Sequence, residues 1–84
     1  MQKYHLYRID WVDAQSDSHW MSIDKIDITP CAVASVGWLV AERKDHIVLA
    51  QNMSSNNNCA DRIQIPTGWI VKRTRLPKHM IGFK

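Results

Sequence analysis

Polar and apolar positions alternate along residues 4–12, with His5, Tyr7, Ile9 and Trp11 on one face and Tyr4, Leu6, Arg8, Asp10 and Val12 on the other. A period of two carried by aromatic and β-branched residues predicts a strand. The polar stretch 13–18 is turn-forming, because short Asp and Ser side chains bond nearby backbone groups. Residues 20–28 are ambiguous: Trp20, Ile23 and Ile26 recur at the spacing of a helical turn, Ile26 and Ile28 at that of a strand, and Pro30 ends the segment by holding Thr29 extended. Residues 31–42 form a long apolar strand in which Gly37 predicts a sharp bend or a close backbone approach. The charged tip 42–45 turns it into a returning strand at 46–53, the cheapest arrangement being a tight hairpin. A polar loop follows at 54–58, expected to be mobile, then a short strand at 61–65, a turn at 66–68 and a last strand at 69–76.

Five short strands with at most one short helix, the second strand bent at a glycine, suit a small closed or nearly closed β-barrel. The 84 residues allow one domain, spanning 1–84, with 77–84 as a basic C-terminal tail. A chain of this size buries roughly 60–65% of its unfolded surface, which leaves a thin core and favours a partner subunit. A sheet edge left open would pair with a neighbour's edge and build a ring, so a homo-oligomer is expected. No apolar run approaches the ~20 residues of a bilayer span, and the N-terminus opens an alternating pattern where a secretion signal would carry an apolar stretch. The expected location is the cytoplasm.

Charge changes this picture. The net +3 is very unevenly spread: residues 1–61 hold all eight acids against five cations, whereas residues 62–84 hold Arg62, Lys72, Arg73, Arg75, Lys78 and Lys84 and no acid. A basic block of this kind can follow a phosphate backbone, releasing counterions as it binds, or it can neutralise aspartates within the chain or on a neighbour. The four tryptophans divide in the same way. Trp11 and Trp38, in mid-strand, are expected in the core or at a subunit interface, while Trp20 and Trp69, beside turns, are expected to be partly exposed. Trp69 next to Lys72, Arg73 and Arg75 would stack a base while the cations hold phosphate.

Little else in the chain carries chemistry. Cys31 and Cys59 lack the paired spacing of a zinc site, and His5, His19, His46 and His79 are scattered through different segments. The simplest reading has Cys31 buried on the second strand and Cys59 in a loop, with a single disulfide left open as a possibility. No nucleophile elbow, phosphate-cradling glycine run or calcium-loop spacing is present. No catalytic residue, metal ligand or cofactor is assigned, and no enzyme activity is expected.

The segment from Ser35 to Leu49, with Gly37, Leu39, the charged tip Glu42-Arg43-Lys44-Asp45 and Ile47-Val48-Leu49, resembles the first part of the Sm-like signature. Ile65-Pro66-Thr67-Gly68-Trp69-Ile70-Val71 resembles the short second part. The likeness covers about half the chain and implies a strongly bent Sm-like or SH3-like five-stranded barrel. It departs from the family in lacking a clear N-terminal helix, in a hairpin about one residue shorter, and in having Pro66-Thr67-Gly68 where the family has a basic-glycine turn. His46 falls near the position at which the family places a base-contacting polar residue. The cluster Trp11-Val12-Asp13-Ala14, Ser16 and Trp20, with Val36-Gly37-Trp38-Leu39, Ile47-Val48-Leu49-Ala50 and Ile65-Pro66 with Ile70, also resembles, across nearly the whole chain, small bacteriophage and prophage proteins of no assigned activity.

These readings lead to a non-enzymatic, oligomeric β-barrel that binds RNA, DNA or a nucleotide through Arg43, Lys44, His46, Trp69, Lys72, Arg73 and Arg75. The alternatives are a phage module that engages a host protein through its acidic loops (Asp13, Asp17, Asp24, Asp27) or basic tail, and a sponge for a cyclic nucleotide signal.

Overall fold

The computed structural model describes residues 4–14, 18–26 and 30–77, so Lys78, His79, Lys84, Asp17 and Asp27 lie outside the described residues. The chain forms β1 (Leu6–Asp13), β2 (Cys31–Glu42), β3 (His46–Met53), β4 (Cys59–Pro66) and β5 (Ile70–Arg75), with short 3-10 turns at Ile23–Lys25 and Thr67–Trp69. No α-helix occurs among the described residues. The ambiguous stretch after residue 20 thus holds one 3-10 turn, closed by the Lys25 N–H donating to the Ser22 carbonyl at 3.0 Å.

All five strands join one antiparallel sheet in the order β4-β3-β2-β1-β5. The hydrogen-bonded ladder stops at β4 and β5, so the sheet is not closed into a barrel. It is nonetheless curled, for a geometric reason. Four inter-strand steps of about 4.8 Å would put β4 and β5 about 19 Å apart in a flat sheet. The chain passes from Pro66 at the end of β4 to Ile70 at the start of β5 through three residues. Even fully extended, those four steps span at most about 14 Å, and a 3-10 turn is shorter. The two edges must therefore approach each other at this end.

Two features in β2 permit the curl. Gly37 lies so close to β3 that a Cβ there would sit 2.8 Å from the Ala50 carbonyl oxygen and 3.2 Å from Leu49 Cβ, a gap only glycine can occupy. Three residues on, the pairing with β3 shifts between Leu39 and Ala41, and an extra residue of this kind bends and twists a strand. The concave face carries the core: Ile9, Trp11, Ile47, Leu49 and Ile65 are buried, with Tyr7, Val33, Leu39, Ile63 and Ile70 packed around them. The alternation read in residues 5–11 thus places Tyr7, Ile9 and Trp11 on the core side. Trp11 also donates its indole N–H to Ser35 Oγ at 3.0 Å, which satisfies its one polar atom. Trp38 lies on the opposite face, half-buried, with buried Ala50 directly across from it on β3.

The loop at 54–58 is tied by its own hydrogen bonds: Ser54 N–H donates to the Asn58 carbonyl (2.8 Å), and Asn58 N–H to Ser54 Oγ (3.0 Å). Asn57 adopts a φ of 64° there, a conformation that asparagine tolerates better than most residues. The expectation for the cysteines is corrected. Cys31 is exposed, because it begins β2 at the end of the sheet opposite Asp13, and Cys59 is half-buried as the first residue of β4; both thiols are free.

Candidate nucleic-acid interface

The residues singled out in the sequence fall into three groups. The first is the β2–β3 tip. Arg43 N–H donates to the His46 carbonyl at 2.8 Å, closing the turn that holds Arg43, Lys44 and Asp45. His46 donates its Nδ1–H to Asp45 Oδ1 at 2.7 Å, so part of its hydrogen-bonding capacity is already used. That bond, the backbone N–H of Asp45 itself and the charge of protonated His46 together hold the Asp45 carboxyl below the ordinary carboxylate range.

The second group is the turn between β4 and β5, which the first group locks in place. His46 pairs with Pro66 across β3–β4, and Thr67 N–H donates to the Asp45 carbonyl at 2.9 Å. Two residues later Trp69 lies over Trp11 with ring centroids 6.3 Å apart and planes 14° from parallel, an offset stack. The sequence placed Trp69 in the last strand; it belongs to the 3-10 turn before it. It remains 38% exposed even with Trp11 stacked against it.

The third group is β5. Arg73 and Arg75 lie opposite Ile9 and Tyr7 and share the core side of the sheet at its edge, whereas Lys72 and Thr74 lie opposite Asp10 and Arg8 on the other side. The register shifts between Asp10 and Trp11, which makes Val71 an extra residue and turns it away from the face that Arg73 and Arg75 share. Lys72, Arg73 and Arg75 are all exposed, as expected for an edge strand with cations on both sides.

The structure thus brings the tip, the 3-10 turn and Arg73 together: Arg73 Nη1 donates to Glu42 Oε2 at 2.9 Å, and because Arg73 lies opposite Ile9 and Ile9 opposite Ser35, well before Glu42 along β2, the contact is made over the core face by the bent end of β2. No spacing in the sequence signals this pair. Arg73 is thus partly neutralised within the chain, whereas Lys72 and Arg75 have no carboxylate partner among the described residues. Lys44 likewise has no partner among the described residues, and the Arg43 guanidinium donates to the Glu42 carbonyl at 3.2 Å. The product is an exposed indole at a turn, flanked by a cationic tip on one side and a cationic edge strand on the other. No family model, curated protein or solved structure matches this chain.

Proposed function

We propose that this protein binds single-stranded nucleic acid across the surface formed by Trp69, the β2–β3 tip and β5, in the manner of a small, curled Sm-like or SH3-like barrel. The observation that carries the reading is the exposed Trp69, backed by Trp11 and followed immediately by a strand bearing Lys72, Arg73 and Arg75. A ring held rigid on one side loses little freedom when a base stacks on it, and base–aromatic stacking contributes about 1–3 kcal/mol per base. Unpaired cations on the adjacent edge strand supply sequence-independent attraction to phosphate. A duplex is the poorer ligand, because its bases are already stacked, and no α-helix that could enter a groove occurs among the described residues. The test is fluorescence anisotropy with a short labelled single-stranded RNA or DNA. Arg73→Glu with Arg75→Glu should abolish binding at moderate salt, and binding that survives the double reversal would contradict the proposal.

A second reading rests on a different surface. Trp20, Met21, Ile23 and Ile26, in the long β1–β2 connection, are all exposed. Solvated apolar side chains clustered in one loop favour a protein contact. A partner recovered with the tagged full chain should survive nuclease treatment and disappear with Trp20→Ala; recovery that depends on nucleic acid would count against a protein contact.

A further inference from the structure

We infer that the base stacked on Trp69 is a guanine, selected by the Glu42 carboxylate that Arg73 holds beside it. The inference rests on the reading of this surface as a single-strand interface and names the base that the interface prefers.

Two separate lines of contact bring Glu42 to Trp69. One runs along β1 on the concave face, where Ile9 and Trp11 are successive positions about 7 Å apart. Arg73 lies opposite the first and carries Glu42 with it through the 2.9 Å bond, while Trp69 stacks over the second. The other line runs through the β2–β3 tip. Thr67, two residues before Trp69, donates its N–H to the Asp45 carbonyl at 2.9 Å, and Asp45 is three residues after Glu42 in a turn closed by Arg43 and His46. The contacts close a ring, and Glu42, Arg73 and the exposed part of Trp69 stand around one opening at the end of the curl.

The carboxylate in this opening has capacity to spare. Arg73 Nη1 occupies one lone pair of Glu42 Oε2, and Oε1 has no partner among the described residues. Asp45, the other acid of the tip, is already bonded to His46 Nδ1 at 2.7 Å. An ionised carboxylate only accepts hydrogen bonds, and its two oxygens take two parallel donors. Guanine is the one common base whose Watson–Crick edge offers two donors side by side, at N1 and the exocyclic amine. Adenine, cytosine and uracil each set an acceptor beside their donor, so one of the two oxygens would face a lone pair. Single-stranded bases are read on this edge while they stack on an aromatic ring.

The placement of the acid fits this role. A carboxylate among cations that hold phosphate weakens binding of every strand alike. A base that donates to it recovers the loss and the others do not, so the same charge that lowers general affinity separates one base from the rest.

Fluorescence anisotropy of the full chain at low salt tests the proposal, with short labelled uridine strands carrying one central guanine, adenine or inosine. The guanine strand should bind about 5- to 150-fold more tightly than the adenine strand, the range for one good bidentate contact. Inosine keeps the N1 donor but lacks the exocyclic amine, and it should fall between them. Glu42→Gln should lose the preference while still binding an all-uridine strand. Its side chain is 55% exposed, so an unchanged melting temperature shows the variant folded. Guanosine monophosphate, without the neighbouring phosphates, should compete far more weakly than the strand; equal competition would make a free nucleotide the ligand and overturn the strand in that role. Equal affinity for all three strands, or a preference that Glu42→Gln leaves intact, overturns the guanine assignment and leaves the single-strand interface standing. No binding of any strand removes both.

Discussion

Arg73 on β5 and Glu42 at the end of β2 are thirty-one residues apart in sequence, yet their side chains meet at 2.9 Å over the concave face of the curled sheet. The pair spans the curl of the sheet and sits at the middle of the cationic edge. Both partners are substantially solvated, so it adds little to stability, about 0–1 kcal/mol. Its larger effect is on charge, since it withholds one arginine from any anionic ligand. Glu42→Gln should therefore tighten binding of a short single strand a few-fold and steepen its salt dependence by about 0.7, the increment for one added phosphate contact, with little change in melting temperature. Isothermal titration at several salt concentrations and a thermal melt check both halves.

Trp69 has two neighbours to answer to. Removing it with Trp69→Ala should weaken single-strand binding by the worth of one stacked base, about 1–3 kcal/mol, or roughly 5- to 150-fold. It should also cost about 0.5–1.5 kcal/mol of fold stability through loss of the Trp11 stack. Trp69→Phe keeps a π-face and should recover part of the binding. Equal loss in both variants would show that the ring's stacking is not what the ligand uses.

Gly37 is a packing requirement. Gly37→Ala would drive a Cβ to within 2.8 Å of the Ala50 carbonyl oxygen, which belongs to a paired central strand and has little freedom to retreat. A destabilisation of about 1–3 kcal/mol is expected, seen as a melting temperature lower by about 4–8 °C per kcal/mol in a domain this small.

Acid should loosen the β2–β3 tip. The Asp45 carboxyl titrates below its ordinary value in the folded chain, so the folded state binds that proton less readily than the unfolded state does. Its contribution to stability is complete above the unfolded value and is lost as pH falls through the lower, folded one. Asp45→Asn should flatten the acid limb of stability against pH, measured by denaturant unfolding from about pH 6 down to the start of acid unfolding.

The sequence was most informative where side-chain chemistry and local geometry agree. β2 and β3 match their expected bounds because an unbroken apolar run, a four-residue charged tip and a second aliphatic run leave no other place to turn. β4 begins two residues earlier than the pattern showed, since Cys59-Ala60-Asp61-Arg62 lacks the β-branched residues that mark a strand and is held by pairing with β3. Trp69 read as strand because the three-residue 3-10 turn has no periodicity of its own. The extra residue at Val71 changes which side chains share a face, and an irregularity in register leaves no compositional trace. Strand order was not legible at all: the neighbour of β5 is β1, at the far end of the chain, and no local signal encodes so distant a pairing. The candidate cations were visible as a list. Their grouping came from contacts such as Thr67 to Asp45 and Arg73 to Glu42, which only the fold supplies.

The most direct test of the nucleic-acid interface is the salt dependence of single-strand binding by the intact chain. With Lys44, Lys72, Arg75 and a partly released Arg73 on phosphates, the logarithm of the association constant should fall with the logarithm of salt concentration with a slope of about −2 to −3, and Trp69→Ala should lower affinity without changing that slope. An association constant that does not respond to salt, or no measurable binding at low salt, would contradict the account.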